Sequence, residues 1–332
     1  MSKTLRNAVL TALGILLALA LLGVGGNRLV YHRSLNATVF EWELRRNGRD
    51  SMTQGEEHWL KVRTDVNKRP IRLPEDLETP YQHFTYGEDG MECYLFIPEN
   101  YDPDRLAVYF CGGTHIDLPG SLHWRFIDRL SRDTGVRVLV PVYPKLPDYT
   151  AEEACDILSG FCADCVESMD AETVIFMGDS AGGGMALALA QTLAAEGQAA
   201  PDRLILISPW LDVSMENDDM IPYENKDPKL DRETLRFAGS LWAGDGSVTE
   251  APASPMFGEL SDLCPITLYI GTRELLYPDA LRFADLAREA GCELRFVEGK
   301  GMNHVWPLFH VYGLKEAEQA LQDIELTILG KE

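Results

Sequence analysis

The sequence predicts an α/β fold in which a mostly parallel sheet is covered by helices on both faces. From about residue 81 to the end of the chain, short apolar runs rich in β-branched residues alternate with longer helical stretches. Such alternation is typical of parallel strands joined by crossover helices. The composition, 45% hydrophobic and 25% charged, is that of an ordinary globular protein, and 332 residues suffice for one large core.

The predicted sheet has eight strands. The first two form a hairpin, residues 82–86 and 91–97, around a turn that contains Gly87 and Gly90. The other six strands are expected at 107–110, 136–140, 173–177, 204–207, 266–270 and 294–297. The main helices are expected at 151–169, 181–196, 278–290 and 314–329.

The composition divides the rest of the chain into segments with different expected roles. Residues 81–332 carry the alternation of strands and helices and are predicted to be the main domain. Residues 28–80 are rich in Arg, Glu and Trp without a strand pattern, and they are predicted to form a helical connector or cap. Residues 213–263 interrupt the alternation with acidic residues, prolines and Trp242. We therefore expect this segment to be a helical lid over the carboxyl ends of the strands.

Residues 1–27 are predicted to be a membrane anchor. Residues 8–26 are 19 consecutive uncharged residues behind Lys3 and Arg6, close to the length of one membrane span. A cleaved signal peptide is the alternative, because residues 18–20 could form its cleavage site, but its apolar region is usually shorter. The expectation is a single-pass membrane protein. Basic residues on both sides leave its orientation open, with an extracytoplasmic domain preferred.

Charge and cysteine content exclude several classes of ligand. The net charge of −22 argues against a nucleic-acid partner, because such binding depends on Lys and Arg that neutralise phosphates. Seven scattered cysteines do not form a disulfide scaffold, and mostly free thiols are expected. Cys162 and Cys165 have the spacing of a metal-binding pair, but no second pair follows nearby. No metal and no other cofactor is therefore predicted, and the oligomeric state stays open.

The most informative motif is Gly178-Asp-Ser180-Ala-Gly182, which lies between an apolar strand and an Ala- and Leu-rich helix. A serine at such a strand-to-helix turn is typical of a nucleophile elbow. The flanking glycines let the backbone crowd together at a strained turn, and the helix amides can stabilise negative charge near the serine. A phosphate-binding loop is the alternative, but its Gly-Lys-Ser/Thr ending is missing. Ser180 is therefore predicted to be a nucleophile.

A serine nucleophile needs a base, and after such an elbow the acid and the histidine follow the serine in that order. His304 and His310 are the histidines that follow Ser180. His304 is the predicted base, because it lies in a glycine-containing loop directly after the last strand. Glu274 is the predicted acid, because it comes just beyond the preceding strand and would orient the imidazole. Asp279 is the alternative acid, although its place in the first turn of a helix also suits the helix dipole.

Backbone amides are expected to form an oxyanion hole. One of them belongs to Ala181, the residue after the nucleophile. The others are predicted in the loop Cys111-Gly112-Gly113-Thr114, which follows the third strand. Glycines there allow a close approach of the backbone to the substrate. The predicted donors are Gly112, Gly113 and Ala181.

Together these motifs resemble the hormone-sensitive-lipase-like branch of the α/β-hydrolases, bacterial carboxylesterases that carry His-Gly-Gly-Gly and Gly-Asp-Ser-Ala-Gly-Gly. The second motif is intact at residues 178–183, whereas the first is altered at residues 111–114, where Cys111 replaces the leading histidine. Residues 141–147 and 208–212 also match the family pattern. The resemblance covers most of the chain from residue 82 onward. It implies the α/β-hydrolase fold and hydrolysis of carboxylic esters with small to medium acyl groups.

The expected function is that of a serine carboxylesterase that forms an acyl-enzyme on short- to medium-chain esters. The altered glycine loop keeps two alternatives open: a catalytically weak family member that binds a hydrophobic ligand, and a serine peptidase with the same triad. The expected partners are a small acyl ester and, through the N-terminal helix, a membrane. The sequence does not specify the acyl and alcohol parts of the substrate.

Overall fold

The predicted strands form one eight-stranded sheet in a computed structural model that describes residues 32–261 and 263–332. The strands are β1 (Tyr81–Tyr86), β2 (Met91–Phe96), β3 (Asp102–Phe110), β4 (Val136–Pro141), β5 (Thr173–Asp179), β6 (Arg203–Ile207), β7 (Ile266–Gly271) and β8 (Leu294–Gly299). Their order in the sheet is β1-β2-β4-β3-β5-β6-β7-β8. β2 pairs antiparallel with β1 and β4, and the other neighbours are parallel. The predicted mostly parallel sheet is therefore confirmed.

Helices cover both faces of this sheet. Within the described residues they are α1 (Leu35–Arg46), α2 (Glu56–Asn67), α3 (Ser121–Thr134), α4 (Ala151–Phe161), α5 (Ala181–Glu196), α6 (Ile221–Glu224), α7 (Arg232–Ala243), α8 (Tyr277–Glu289) and α9 (Lys315–Leu329). One apolar core contains Leu158 of α4, Leu189 of α5 and Phe283 of α8. A second core contains Phe126 of α3 and Leu321 of α9. The strands between them are buried on both sides, which explains their continuous apolar runs.

The helix predicted over residues 151–169 is only partly regular. The α-helix ends at Phe161, and the chain continues through a π-helical turn, Cys162–Val166, and a 3₁₀ turn, Glu167–Met169. The seven cysteines of the chain, Cys162 and Cys165 included, are free. Within the described ranges no group of three or more His, Cys, Asp or Glu side chains could hold a metal ion.

The predicted membrane anchor is not supported. Residues 8–26 lie outside the described residues. Among residues 32–261 and 263–332, no helix is long and apolar enough to cross a membrane. A span takes about 20 residues at the rise of an α-helix, whereas the longest helix in these ranges, α5, has 16 residues. The single-pass localisation and the membrane partner inferred from the sequence are corrected on this finding.

Residues 213–263, the segment predicted to be a lid, contain α6 and α7 and join the main domain through buried polar and aromatic contacts. The carboxylate of Asp227, which is fully buried, accepts a hydrogen bond of 2.8 Å from the amide of Leu275 in the loop after β7. Trp242 at the end of α7 stacks on His115 in the loop after β3, with ring centroids 4.0 Å apart. The segment therefore contacts the loops that follow β3 and β7, at the carboxyl ends of these two strands.

Helix α1 is attached to the loop after β7 by a cluster of charges around Glu41. This carboxylate is 5% exposed and forms ion pairs with Arg33, Arg45 and Arg273. Burial alone would raise the pKa of Glu41, but hydrogen bonds from Arg273 and the charge of Arg33 lower the pKa to about 2. Arg273 precedes Glu274, so α1 directly contacts the loop that carries the predicted acid.

Helix α2 lies beside the loop after β3. Arg63 on this helix forms ion pairs with Asp50 and with Asp117, four residues beyond Gly113. Trp59, which is buried, packs edge-on against Phe237 of α7 with centroids 5.9 Å apart. Residues 28–80 and 213–263 therefore contact each other, and both contact the loop after β3.

Replacing Glu41 with Gln should lower the free energy of unfolding by about 3 kcal/mol at pH 7, because the arginines around it lose their buried counter-charge. Glu41 has a depressed pKa in the folded protein, so its contribution is complete above the ordinary value of 4.5 and declines as the pH falls towards 2. The difference between the wild type and E41Q should therefore narrow from pH 7 to pH 3.

Urea unfolding followed by circular dichroism at a series of pH values measures this difference. E43Q, a change at an exposed position on the same helix, is the matched control. A difference that stays constant over this pH range would contradict the assignment to the Glu41 charge.

Candidate active site

Ser180 lies at the sharp turn between β5 and α5. Its backbone has φ 52° and ψ −124°, a region that residues with side chains rarely adopt. Two hydrogen bonds fix this turn against the end of β6 and the residues after it. The amide of Ser180 donates to the carbonyl of Ile207, and the amide of Trp210 donates to the carbonyl of Ser180, both at 2.9 Å. The serine therefore stands on a strained turn that the neighbouring strand holds.

Glycines surround this turn because there is no space for side chains. A Cβ at Gly182 would lie 2.0 Å from the carbonyl oxygen of Phe110, and one at Gly178 would lie 2.4 Å from the carbonyl oxygen of Gly182. Both distances are far shorter than a van der Waals contact. The glycines of the motif thus allow α5 to start directly against the end of β3, as the sequence predicts.

His304 connects Ser180 with Glu274. The Nε2 atom of His304 lies 2.9 Å from the Oγ atom of Ser180, and its Nδ1 atom lies 2.5 Å from the Oε2 atom of Glu274. His304 follows β8 and Glu274 follows β7, so both loops leave the sheet at the edge where Ser180 stands. The structure brings the three residues predicted from the sequence into one continuous chain of hydrogen bonds.

Ser208, at the end of β6, joins the two loops that carry Glu274 and His304. Its hydroxyl donates to the Oε1 atom of Glu274 at 2.9 Å and accepts from the amide of Val305 at 3.0 Å. Ser208 has φ 46°, a strained value for a serine at a strand end. The sequence places Ser208 in a family-like stretch but does not reveal this bridge, which depends on the parallel neighbours of β6.

The environment shifts the pKa of both members of the buried pair. Burial alone would lower the pKa of His304, but the charge and the hydrogen bond of Glu274 raise it above its ordinary value. Burial raises the pKa of Glu274, and the imidazole of His304 and the amide of Gly271 oppose that rise. Glu274 is fully buried, so the imidazole experiences its carboxylate with little screening by water.

Asp279, the alternative acid, has a different partner. Its Oδ1 atom accepts a hydrogen bond of 2.8 Å from the side-chain amide of Asn217, in the predicted lid segment. Burial raises the pKa of Asp279 to about 7. The structure therefore places Glu274, and not Asp279, next to His304.

The glycine loop after β3 differs from the prediction at Gly112. Its amide donates a hydrogen bond of 3.1 Å to the Oδ1 atom of Asp179 and is therefore not free for a substrate. A Cβ at Gly112 would lie 3.0 Å from the Cβ of Ser180, so this glycine allows the loop to approach the nucleophile. The sequence predicts Gly112 as an oxyanion donor, whereas in the structure its amide is bound to Asp179.

The amides of Gly113 and Thr114 remain as donors in this loop. Neither amide has a hydrogen-bond acceptor within the described part of the chain. Both residues have positive φ, 123° and 56° respectively, so the backbone turns sharply just beside the nucleophile. Ala181, the third donor predicted from the sequence, is the first residue of α5. The sequence did not predict the Thr114 amide as a donor, because the motif alone does not show which amides of the loop already have a hydrogen-bond acceptor.

Comparison with known proteins identifies the family of the fold. A family profile described as the α/β-hydrolase fold matches residues 107–308, more than half of the chain. The chain belongs to the α/β-hydrolase family. It is 29% identical over 259 residues to a triacylglycerol lipase of Mycobacterium tuberculosis, a match that covers 78% of this chain and 54% of the lipase. An esterase of Acinetobacter venetianus is 31% identical over 261 residues, which cover 78% of this chain and 80% of that esterase.

Solved structures share the fold of this α/β-hydrolase. An esterase from the bacterial hormone-sensitive lipase family superposes with a TM-score of 0.73 at 23% identity, covering 90% of this chain and 99% of that one. An esterase/lipase from an uncultured bacterium superposes with a TM-score of 0.76 at 21% identity, with the same coverage. These structures confirm the α/β-hydrolase fold. The curated relatives, a triacylglycerol lipase and an esterase, confirm the prediction of a carboxylic ester hydrolase.

Proposed function

We propose that the protein is a serine carboxylesterase in which Ser180, His304 and Glu274 form the catalytic triad. The observation that carries this proposal is the chain of hydrogen bonds from the serine hydroxyl through the imidazole to a fully buried carboxylate. The contact between Ser180 and His304 lies within the range expected of a nucleophile and its base, and the carboxylate of Glu274 is close enough to orient the imidazole. The strained turn at Ser180 adds support, because it exposes the hydroxyl at the end of the sheet.

In the proposed reaction, the Oγ atom of Ser180 attacks the ester carbonyl carbon while its proton passes to the Nε2 atom of His304. The tetrahedral intermediate then collapses, and the alcohol leaves with that proton. A water molecule attacks the acyl-enzyme, again with His304 as the base, and the carboxylic acid is released. Glu274 accepts a hydrogen bond from the Nδ1–H group of His304 and stabilises the imidazolium, but the proton is not transferred to the carboxylate.

The amides of Gly113, Thr114 and Ala181 are the proposed oxyanion donors. The amides of Gly113 and Thr114 have no acceptor within the described residues. Ala181 stands at the first turn of α5, where unsatisfied amides and the helix dipole favour negative charge. Donors fixed before the reaction are effective, because they need no reorganisation when the charge develops. Gly112 contributes by setting the position of the loop.

The proposed substrates are esters with short to medium acyl chains. The relatives carry the names esterase, acetyl-hydrolase and triacylglycerol lipase, so acyl esters are their common chemistry. We propose residues 81–332 as the catalytic domain, residues 28–80 as a helical cap and residues 213–263 as a lid. The ion pair between Arg63 and Asp117 and the stacking of Trp242 on His115 support this proposal, because they place both segments beside the loop after β3.

A fluorophosphonate probe should label Ser180 in the purified protein, and S180A should remain unlabelled with the same far-ultraviolet circular dichroism. The wild type should hydrolyse p-nitrophenyl acetate, butyrate and octanoate faster than the palmitate ester. A folded wild type without labelling at Ser180 would remove the esterase proposal. Stoichiometric binding of an ester without turnover would instead favour a ligand-binding member, and cleavage of peptides alone would favour a peptidase.

Replacing Glu274 with Gln should lower kcat by about 10⁴-fold, because the amide holds the wrong imidazole tautomer and no longer stabilises the imidazolium. D279N is the matched control, since Asp279 is an equally buried carboxylate of the same region that contacts Asn217 instead. It should retain kcat within about threefold. Steady-state kinetics with p-nitrophenyl butyrate distinguish the two, and a larger loss in D279N than in E274Q would assign the acid to Asp279.

The pH dependence of kcat/KM should report the raised pKa of His304. The base must be neutral to accept the proton of Ser180, so activity should rise with pH through the pKa of His304. Because Glu274 raises this pKa, the midpoint of the acidic limb should lie above the ordinary value of 6.5. In E274Q the midpoint should move to lower pH. Assays between pH 5 and pH 8.5 check both midpoints, and a wild-type midpoint below 6.5 would contradict the assigned environment.

A further inference from the structure

We propose that His123 and Tyr109 are positioning residues that hold the glycine loop through the carboxylate of Asp179. This chain has Cys111 at the position where the family pattern has its leading histidine. The inference rests on the proposed esterase function, because its consequence is the placement of the oxyanion donors. The connection runs from His123 and Tyr109 to Asp179 and from there to the amide of Gly112.

Asp179, the residue before the nucleophile, is the centre of this cluster. Its carboxylate is 3% exposed and has three hydrogen-bond partners on three different elements. The hydroxyl of Tyr109 on β3 donates to Oδ1 at 2.8 Å, and the amide of Gly112 donates to the same oxygen at 3.1 Å. The Nε2 atom of His123 on α3 lies 3.3 Å from Oδ2. Burial alone would raise the pKa of Asp179, but His123, Gly112 and Tyr109 together hold it below its ordinary value.

The orientation of His123 is fixed from its other side. The amide of Gly120 donates to the Nδ1 atom of His123 at 3.1 Å. Nδ1 is therefore an acceptor, and in the neutral ring the proton lies on Nε2, which faces Asp179. His123 stands in the first turn of α3, so the helix start and the carboxylate together define its position.

Cys111 does not replace the histidine chemically. It is 1% exposed, and burial raises the pKa of its thiol well above the ordinary value, so the side chain is neutral. A thiol is a weak donor, and within the described residues the sulfur of Cys111 has no hydrogen-bond partner. Support for the loop therefore comes from donors outside the altered motif.

The position of Gly112 decides where the oxyanion donors lie. A Cβ on this residue would lie 2.6 Å from the carbonyl oxygen of Asp179 and 3.0 Å from the Cβ of Ser180, so the loop has almost no free space on this side. Gly113 and Thr114 follow directly. A shift of Gly112 would move their amides away from an oxyanion that exists only in the transition state, which lowers kcat while substrate binding changes little.

Two substitutions at His123 separate the contact with Asp179 from the contact with Gly120. The terminal amide of Gln can reach the place of Nε2 and donate to Asp179, whereas Asn reaches only the place of Nδ1. We expect H123N to lower kcat on p-nitrophenyl butyrate by about 10- to 100-fold with KM within about twofold. H123Q should keep kcat within about threefold of the wild type. Y109F, which removes the other side-chain donor, should resemble H123N.

A trifluoromethyl ketone reports on the oxyanion hole directly, because Ser180 adds to its carbonyl carbon and the oxygen becomes the bound oxyanion. Its inhibition constant should rise in H123N by the same factor by which kcat/KM falls, whereas KM stays nearly constant. H58N, at an exposed histidine on α2, is the control for a surface substitution. Melting curves show whether each variant is folded.

The possible outcomes separate this inference from the proposed function. A wild type that neither hydrolyses esters nor binds the ketone covalently would overturn both. An active wild type with full kcat in folded H123N, or with equal losses in H123N and H123Q, would overturn only the positioning role. If H123N fails to fold, Y109F and H123Q decide. Unchanged kcat and ketone affinity in Y109F together with a loss in H123Q would then contradict the proposal.

Discussion

The strained backbone at Ser180 is the constraint on which the rest of this site depends. A residue with a side chain held in this region costs on the order of 1–3 kcal/mol, which the surrounding packing must offset. Two hydrogen bonds, from Ser180 to Ile207 and from Trp210 to Ser180, help to offset this cost from the end of the neighbouring strand β6. The glycines at 178 and 182 allow this packing, since any side chain there would collide with backbone. Ser180, the proposed nucleophile, is therefore fixed in space before a substrate arrives.

The proposed triad also requires a carboxylate that stays charged although it is buried away from water. Burying a carboxylate is unfavourable unless several donors replace its hydration. For Glu274 these donors are the imidazole, the hydroxyl of Ser208 and the amide of Gly271. The next amide, that of Leu275, is bound by Asp227 of the segment predicted to be a lid. The loop that orients the base is thus held both by the sheet and by the helical segment above it.

The order of the strands explains which parts of the site could be predicted from the sequence. Ser180, Glu274 and His304 each follow a strand of a parallel sheet, and the carboxyl ends of such strands lie along one edge. Position in the sequence therefore determined proximity in space. Gly112 was predicted as a donor to the substrate, but its amide binds the side chain of Asp179. Side-chain hydrogen bonds between strands leave no periodic signal in the sequence, so neither this contact nor the bridge by a serine after β6 could be predicted.

The charge of Asp179 poses an electrostatic problem that its partners reduce. A carboxylate next to the nucleophile raises the pKa of His304, which favours the imidazolium, yet it also repels the negative charge that develops on the substrate. Hydrogen-bond donors on the carboxylate stabilise its charge and reduce this repulsion. Tyr109, Gly112 and His123 together occupy both oxygens of Asp179. In this arrangement the same contacts that place the glycine loop also limit the repulsion, so geometry and electrostatics act in the same direction.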